Sequence, residues 1–171
     1  MGTGRKRFKL EKPRALLSDN DDPAAFVLED QVDETCKRHF YQLDEAPVTP
    51  PTPKQVGILG YPDATKLPVG SIFMATPYWT FGELYDDGNP NNKSCISVSY
   101  PKAHTVDAHG LSGSGFWISK DRGGIVWRPT VALIGLATHY VRATEMVVGY
   151  RVEKLIEFLN SKQEWMRGGV A

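Results

Sequence analysis

The stretch His109-Gly110-Leu111-Ser112-Gly113-Ser114-Gly115-Phe116-Trp117 places a serine between glycines and directly before an apolar segment. Glycine adopts backbone angles that other residues avoid, and it lets a second backbone approach closely. Two N–H groups in such a turn can point at one position and stabilise a negatively charged oxygen there. The stretch therefore predicts either an exposed Ser112 nucleophile, with the N–H groups of Gly110 and Ser112 as an oxyanion hole, or a plain Gly/Ser turn between two strands.

Short apolar segments lie on both sides of this turn and are bounded by Gly, Pro, Asn and Asp residues. Many such segments in one chain predict an all-β barrel or sandwich. The segment at 131–137 is the most apolar and is predicted to be a central strand, and the polar residues 86–93 predict a turn. The other predicted strands cover residues 22–28, 38–43, 56–62, 71–76, 95–100 and 116–118.

Near its end the chain changes from the hydrophobic period of strands to that of a helix. Val148, Val152, Leu155, Ile156 and Leu159 recur at helical spacing, with charged residues between them. This pattern predicts an amphipathic helix of about four turns.

Residues 44–54 contain four prolines. Proline donates no backbone hydrogen bond and excludes a helix interior, so this segment is predicted to be a stiff, extended linker. The linker divides the chain into residues 1–43 and residues 55–171.

Composition restricts the classes of function. The 171 residues carry a formal net charge of +0, which gives no electrostatic footprint for nucleic acid, and the basic residues near the N-terminus are expected to form a solvated arm. No apolar run approaches the ~18 residues of a membrane span, and no signal-peptide pattern is present. We expect a cytoplasmic chain without nucleic-acid or membrane partners. Cys36 and Cys95 are expected to be free thiols, and one disulfide between them is possible but not implied.

Four features together resemble the C-terminal two-thirds of a chymotrypsin/trypsin-like serine peptidase, of the kind found in bacterial trypsin-like peptidase domains. Gly110-Leu111-Ser112-Gly113-Ser114 resembles the family's Gly-x-Ser-Gly-Gly turn, with Ser114 in place of the last glycine. Asp22-Pro23-Ala24-Ala25-Phe26-Val27-Leu28 resembles the strand that carries the family's aspartate, and it precedes Ser112 at a spacing that suits two barrel halves. Leu133-Ile134-Gly135-Leu136-Ala137-Thr138 resembles the strand that pairs with substrate backbone. The fourth feature is the helix at the end of the chain.

The resemblance implies an all-β, trypsin-like double β-barrel, with 1–43 as the remnant of the first barrel and 55–171 as the complete second barrel with its C-terminal α-helix. Ser112 would be the nucleophile, and Asp22 would orient the general base, with Asp19 and Asp21 as alternatives. The N–H groups of Gly110 and Ser112 would form the oxyanion hole. No metal or organic cofactor is implied. A peptide or protein substrate would contact Val106, Leu111, Gly135, Leu136, Ala137 and Thr138.

The sequence departs from the family's chain order of His, Asp and Ser. No histidine precedes Asp22, because the four histidines are His39, His104, His109 and His139. The chain would then be either a fragment whose parent carries the histidine upstream, or a short paralogue that has lost the first half-barrel. We expect it to be inactive by itself as a serine endopeptidase, and the alternative function is a pseudopeptidase that binds peptide or protein without cleaving it. His109 is expected to line the oxyanion loop or to face solvent.

Other classes of site fit the sequence poorly. An α/β-hydrolase nucleophile elbow needs Gly-x-Ser-x-Gly, which neither Ser112 nor Ser114 satisfies. A phosphate-binding loop needs a lysine after the glycines, and none follows here. The spacing of His104, Asp107 and His109 is not specific to a metal site.

Overall fold

A computed structural model describes residues 14–17, 24–27, 55–70, 72–85, 94–103, 106–120 and 130–161. The chain divides into two compact units, one formed by residues 1–44 and 157–171 and the other by residues 45–156. The described residues contain ten strands and one α-helix. In chain order these are β1 (Arg14–Leu17), β2 (Ala24–Val27), β3 (Gln55–Gly60), β4 (Lys66–Val69), β5 (Ile72–Ala75), β6 (Tyr78–Tyr85), β7 (Cys95–Ser99), β8 (Gly115–Lys120), β9 (Thr130–Val141), β10 (Met146–Arg151) and α1 (Val152–Ser161).

Six strands of the second unit close into an antiparallel barrel in the order β10-β7-β6-β3-β8-β9. Closure pairs both edges of every barrel strand, which removes the open edges that would otherwise invite aggregation. Two antiparallel pairs lie outside the barrel sheet. They are β1 with β2 in the first unit, and β4 with β5 between β3 and β6 of the chain.

The core lies inside the barrel and is built from alternate residues of its strands, because successive side chains of a strand point to opposite faces. Val56, Ile58, Val98 and Phe116 are fully buried there. The loop between β7 and β8 also contributes to this core, through the buried side chains of Tyr100, Ala108 and Leu111. That loop carries Ser112, so the barrel core itself fixes one side chain next to the predicted nucleophile.

Most strand predictions that fall on described residues are confirmed. The segments predicted at 56–62, 71–76, 95–100, 116–118 and 131–137 overlap β3, β5, β7, β8 and β9, and the segment at 22–28 contains β2. The predicted strand at 38–43, the linker at 44–54 and the turn at 86–93 lie outside the described residues. The described architecture is therefore mostly β, with one closed barrel and one helix near the C-terminus.

The predicted start of the helix was wrong. The helix begins at Val152, and Val148 belongs to β10, where it pairs with Ser97 of β7 and His139 of β9. A valine four residues before a helix matches the helical period and also fits a strand, and the pairing of β10 on both edges decides between the two. Among the described residues, no helix has the length and apolar character needed to cross a bilayer.

Candidate functional site

The loop that carries Ser112 is built from two consecutive turns. The N–H group of Leu111 donates to the carbonyl of Ala108 at 3.1 Å, and the N–H group of Ser114 donates to the carbonyl of Leu111 at 2.9 Å. Leu111 lies at the junction of the two turns, and its side chain is only 2% exposed. The sequence therefore places a buried leucine between two exposed turn segments, and burial of that leucine holds the loop against the barrel.

The loop is fixed to β9 on its C-terminal side. The N–H group of Gly113 donates to the carbonyl of Ala137 at 2.8 Å, and the N–H group of Ala137 donates to the carbonyl of Ser114 at 2.8 Å. These bonds continue the pairing of β8 with β9, which uses Gly135 and Leu136. Beyond Ala137 no described strand pairs with this edge of β9.

On its N-terminal side the loop is fixed by Asp63, in a short 3₁₀ turn after β3. The backbone N–H of Asp63 donates to the carbonyl of His109 at 2.9 Å, and its Oδ2 lies 2.8 Å from Nδ1 of His109. The carboxylate also pairs with Lys66. The imidazole of His109 is 84% exposed, in agreement with the expectation that it faces solvent beside the loop.

Between these two attachments, the N–H groups of Gly110 and Ser112 have no hydrogen-bond partner among the described residues. The Ser112 side chain is exposed, and its hydroxyl likewise has no described partner. Gly110 and Gly113 have φ values of 84° and 85°, a backbone conformation that residues with a Cβ rarely adopt. The two donors that the sequence predicts as an oxyanion hole thus have no partner within the described part of the chain.

A cavity of about 260 Å³ lies beside these donors. Its wall is formed by residues 107–112, by Thr138, His139 and Tyr140 of β9, and by Arg142 and Val147. A second cavity of about 370 Å³ adjoins it and includes Tyr100, Lys102 and Val106. Asp107, Ala108, Tyr140 and Arg142 line both cavities.

The structure brings together only part of the predicted site. Gly110, Leu111, Ser112 and Thr138 line the smaller cavity, whereas Val106 lines the larger one. Gly135 and Leu136 are paired with β8 and β10 on both edges of β9. Asp22 lies outside the described residues, as do Asp19, Asp21, His39 and His104.

Ser114, the serine that follows Gly113 in the loop, faces the interior. Ser114 is 4% exposed, and its hydroxyl has no hydrogen-bond partner among the described groups. A Cβ added to Gly60 would overlap the position of this hydroxyl. A serine at this position is accommodated because residue 60 has no side chain.

Tyr100 stabilises the loop by a hydrogen bond to its backbone. Its hydroxyl donates to the carbonyl of Val106 at 2.6 Å, and the hydroxyl of Tyr140 donates to the carbonyl of Tyr100 at 3.3 Å. Burial raises the pKa of the Tyr100 hydroxyl well above its ordinary range, so this donor stays protonated at physiological pH.

Sequence reasoning missed Asp63 and Arg142. Asp63 lies 46 residues before His109, and no motif links the two positions. Arg142 follows β9 in a turn, with nothing in its surroundings to distinguish it from a solvated cation. Among the described residues, no group of three or more His, Cys, Asp or Glu side chains could hold a metal ion. Of His104, Asp107 and His109, which the sequence analysis considered together, His104 lies outside the described residues.

The hydrogen bond from Lys66 lowers the pKa of the Asp63 carboxyl below the ordinary aspartate value of 3.8, and the hydrogen bond from His109 lowers it further. A lowered pKa in the folded state means that this contribution to loop attachment is present above pH 3.8 and is lost as the pH falls through the lowered value. We expect the amide resonance of Gly110 to shift with a midpoint below pH 3.8, and we expect Asp63→Asn to abolish that transition. A transition that persists in the variant would show that another group controls the loop.

Comparison with known proteins gives no further assignment: no family model, no curated protein and no solved structure matches this chain.

Proposed function

We propose that the barrel is the peptide-binding and nucleophile-bearing part of a trypsin-like serine endopeptidase, with Ser112 as the nucleophile. The observation that carries this proposal is the Ser112 loop. It is attached at both ends, leaves the N–H groups of Gly110 and Ser112 without described partners, and borders a cavity of about 260 Å³. A closed antiparallel barrel followed by a helix also agrees with the second barrel and C-terminal helix that the resemblance implies.

In this function a peptide would lie along the open edge of β9 with one side chain in the cavity. Oγ of Ser112 would attack the carbonyl carbon while its proton passes to a general base, which the described residues do not supply, and the tetrahedral oxyanion would accept hydrogen bonds from the N–H groups of Gly110 and Ser112. Collapse of this intermediate would break the C–N bond, with the proton passing to the amine that leaves. Removing one such donor from a hydrolase costs about 3–4 kcal/mol of transition-state stabilisation.

A second function for the same cleft is a non-catalytic peptide-binding module. A serine hydroxyl needs a base to remove its proton at neutral pH, and no described group accepts a hydrogen bond from Ser112. Loss of one triad member lowers the rate by about 10⁴–10⁶. We therefore expect hydrolysis of unactivated peptides by the purified chain to stay near the uncatalysed rate.

The test is acylation by p-nitrophenyl acetate, whose leaving group needs no protonation. If the two N–H groups stabilise an oxyanion, Ser112 should be acetylated at least about a hundredfold faster than an ordinary exposed serine, because one donor contributes a factor of 10²–10³. Peptide mass spectrometry reads both rates in one sample, with the exposed Ser161 as the internal reference.

Ser112→Ala should remove the fast site, whereas Ser114→Ala should keep it, because the Ser114 hydroxyl is buried on the same loop. Equal rates at Ser112 and Ser161 would contradict the nucleophile assignment and would leave the binding module as the function of the cleft.

A further inference from the structure

Hydrogen-bond donors and a cationic side chain occur together among the residues that line the smaller cavity. Among the donor groups of these lining residues are the N–H groups of Gly110 and Ser112, the Ser112 hydroxyl and the guanidinium of Arg142. None of them has a hydrogen-bond or ion-pair partner among the described residues. A wall of unsatisfied donors favours a ligand that brings several acceptor atoms.

The charges of the lining residues indicate the sign of that ligand. Arg142 forms no ion pair within the described chain, whereas Lys102, in the neighbouring cavity, is paired with Glu145 at 3.2 Å. Asp107 is the single carboxylate among the described lining residues, and its Oδ1 already accepts the N–H group of His109 at 2.8 Å. Asp107 keeps its negative charge, so the wall holds one charge of each sign, and Arg142 is a cation without an ion-pair partner among the described residues.

His109 adds a donor that depends on its protonation. Its Nδ1 is held by Asp63 at 2.8 Å, which fixes the ring and leaves Nε2 without a described partner. In the neutral ring Nε2 is an acceptor, and in the protonated ring it becomes a further donor at the edge of the same cavity.

We propose that this cavity is a carboxylate-binding site, in which the N–H groups of Gly110 and Ser112 bind the carboxylate oxygens and Arg142 supplies the opposite charge. Capture of a carboxylate by free backbone N–H groups is an established mode of peptide recognition. The proposal uses the peptide cleft of the proposed function but does not depend on the reactivity of Ser112. If Ser112 cleaves peptides, the same site retains the product acid that cleavage creates.

The carboxylate could be the C-terminus of a peptide or the side chain of an acidic residue. Three probes separate these sources: acetyl-tetra-alanine with a free C-terminus, its C-terminal amide, and an amidated acetyl-Ala-Ala-Glu-Ala. Binding is measured by NMR titration of the ¹⁵N-labelled full chain, with the amide resonances of Gly110 and Ser112 as local reporters.

We expect the free acid or the glutamate peptide to bind about tenfold more tightly than the neutral amide, the range of a hydrogen bond to a charged group. A preference for the free acid identifies a C-terminal carboxylate, and a preference for the glutamate peptide identifies an acidic side chain. Equal affinity for all three probes, or shifts that avoid Gly110 and Ser112, would overturn the carboxylate site.

Arg142→Gln should lower the affinity for the preferred acid about tenfold and leave that for the neutral amide unchanged. Lys102→Gln is the matched control: it removes a cation that is already paired and lines only the other cavity, so it should change neither affinity. An unchanged acid affinity in Arg142→Gln would contradict the role of Arg142.

The two proposals fail separately. Fast acetylation of Ser112 without a preference for acids would keep the nucleophile and reject the carboxylate site. A preference for acids without fast acetylation would keep the carboxylate site and reject the nucleophile.

Discussion

Replacing Phe116 by alanine is expected to lower the free energy of unfolding by about 3–5 kcal/mol, the range for a buried phenylalanine. The side chain is 0% exposed, and it lies on β8 between β3 and β9 at the centre of the barrel core. Truncation removes its apolar contacts and leaves a cavity that a closed barrel has little freedom to collapse. Urea denaturation followed by circular dichroism gives the difference directly.

Phe81→Ala is the matched control for this substitution. Phe81 is 50% exposed on β6, and its described ring contact is an edge-to-face pair with Trp79 at a centroid distance of 5.5 Å. Its loss should cost at most about 1.5 kcal/mol. Domains of this size are stable by only about 5–15 kcal/mol, so Phe116→Ala could unfold the chain before any urea is added. Phe116→Leu, with an expected cost of about 1 kcal/mol, is therefore measured beside it. Equal losses at positions 81 and 116 would contradict the described core.

Gly110→Ala is expected to have the largest effect on the site. Gly110 has a φ of 84°, so any Cβ is strained there, and that Cβ would lie 2.5 Å from Oδ1 and 2.7 Å from the backbone N of Asp63. The substitution therefore has to displace the residue that holds His109. We expect the fast acetylation of Ser112 to fall by about 10²-fold or more, the effect of one lost oxyanion donor.

Gly113→Ala separates strain from displacement. Gly113 has nearly the same φ, 85°, but its Cβ would meet no atom within 4 Å. This variant should lose about 1–2 kcal/mol of stability from left-handed strain and should keep most of the acetylation at Ser112. If the two variants lost acetylation equally, backbone strain alone would explain the effect, and Asp63 would have no positioning role.

The described fold was largely readable from the sequence where short apolar segments ended at turn residues, as at 95–100 and 131–137. Strands β1, β4, β6 and β10 were not predicted. The pattern of β6 is inverted: the inward positions include Thr80 and Gly82, and the outward positions include Trp79 and Phe81. The residues that face the interior are small, and the aromatic residues face outward. From the sequence of this strand alone, the aromatic face would be taken for the core face. Hydropathy alternation gives the period of such a strand but assigns its faces the wrong way round.

For the site, the sequence identified the loop and its two N–H groups, because Gly-rich turns have a local physical meaning. It could not identify Asp63 as the partner of His109, or Arg142 as a lining residue, because both depend on contacts made only when the barrel closes. The roles of Ser112 and Asp22 stay predictions from the resemblance.

The wall shared by the two cavities has a thermodynamic consequence. Arg142 borders both cavities and carries one positive charge, so it can neutralise one bound anion at a time. An anion in the larger cavity would withdraw that charge from the Ser112 side and weaken binding there. By reciprocity, an anion bound beside Ser112 would weaken binding in the larger cavity by the same factor. Anions in the two cavities would therefore compete for a single side chain.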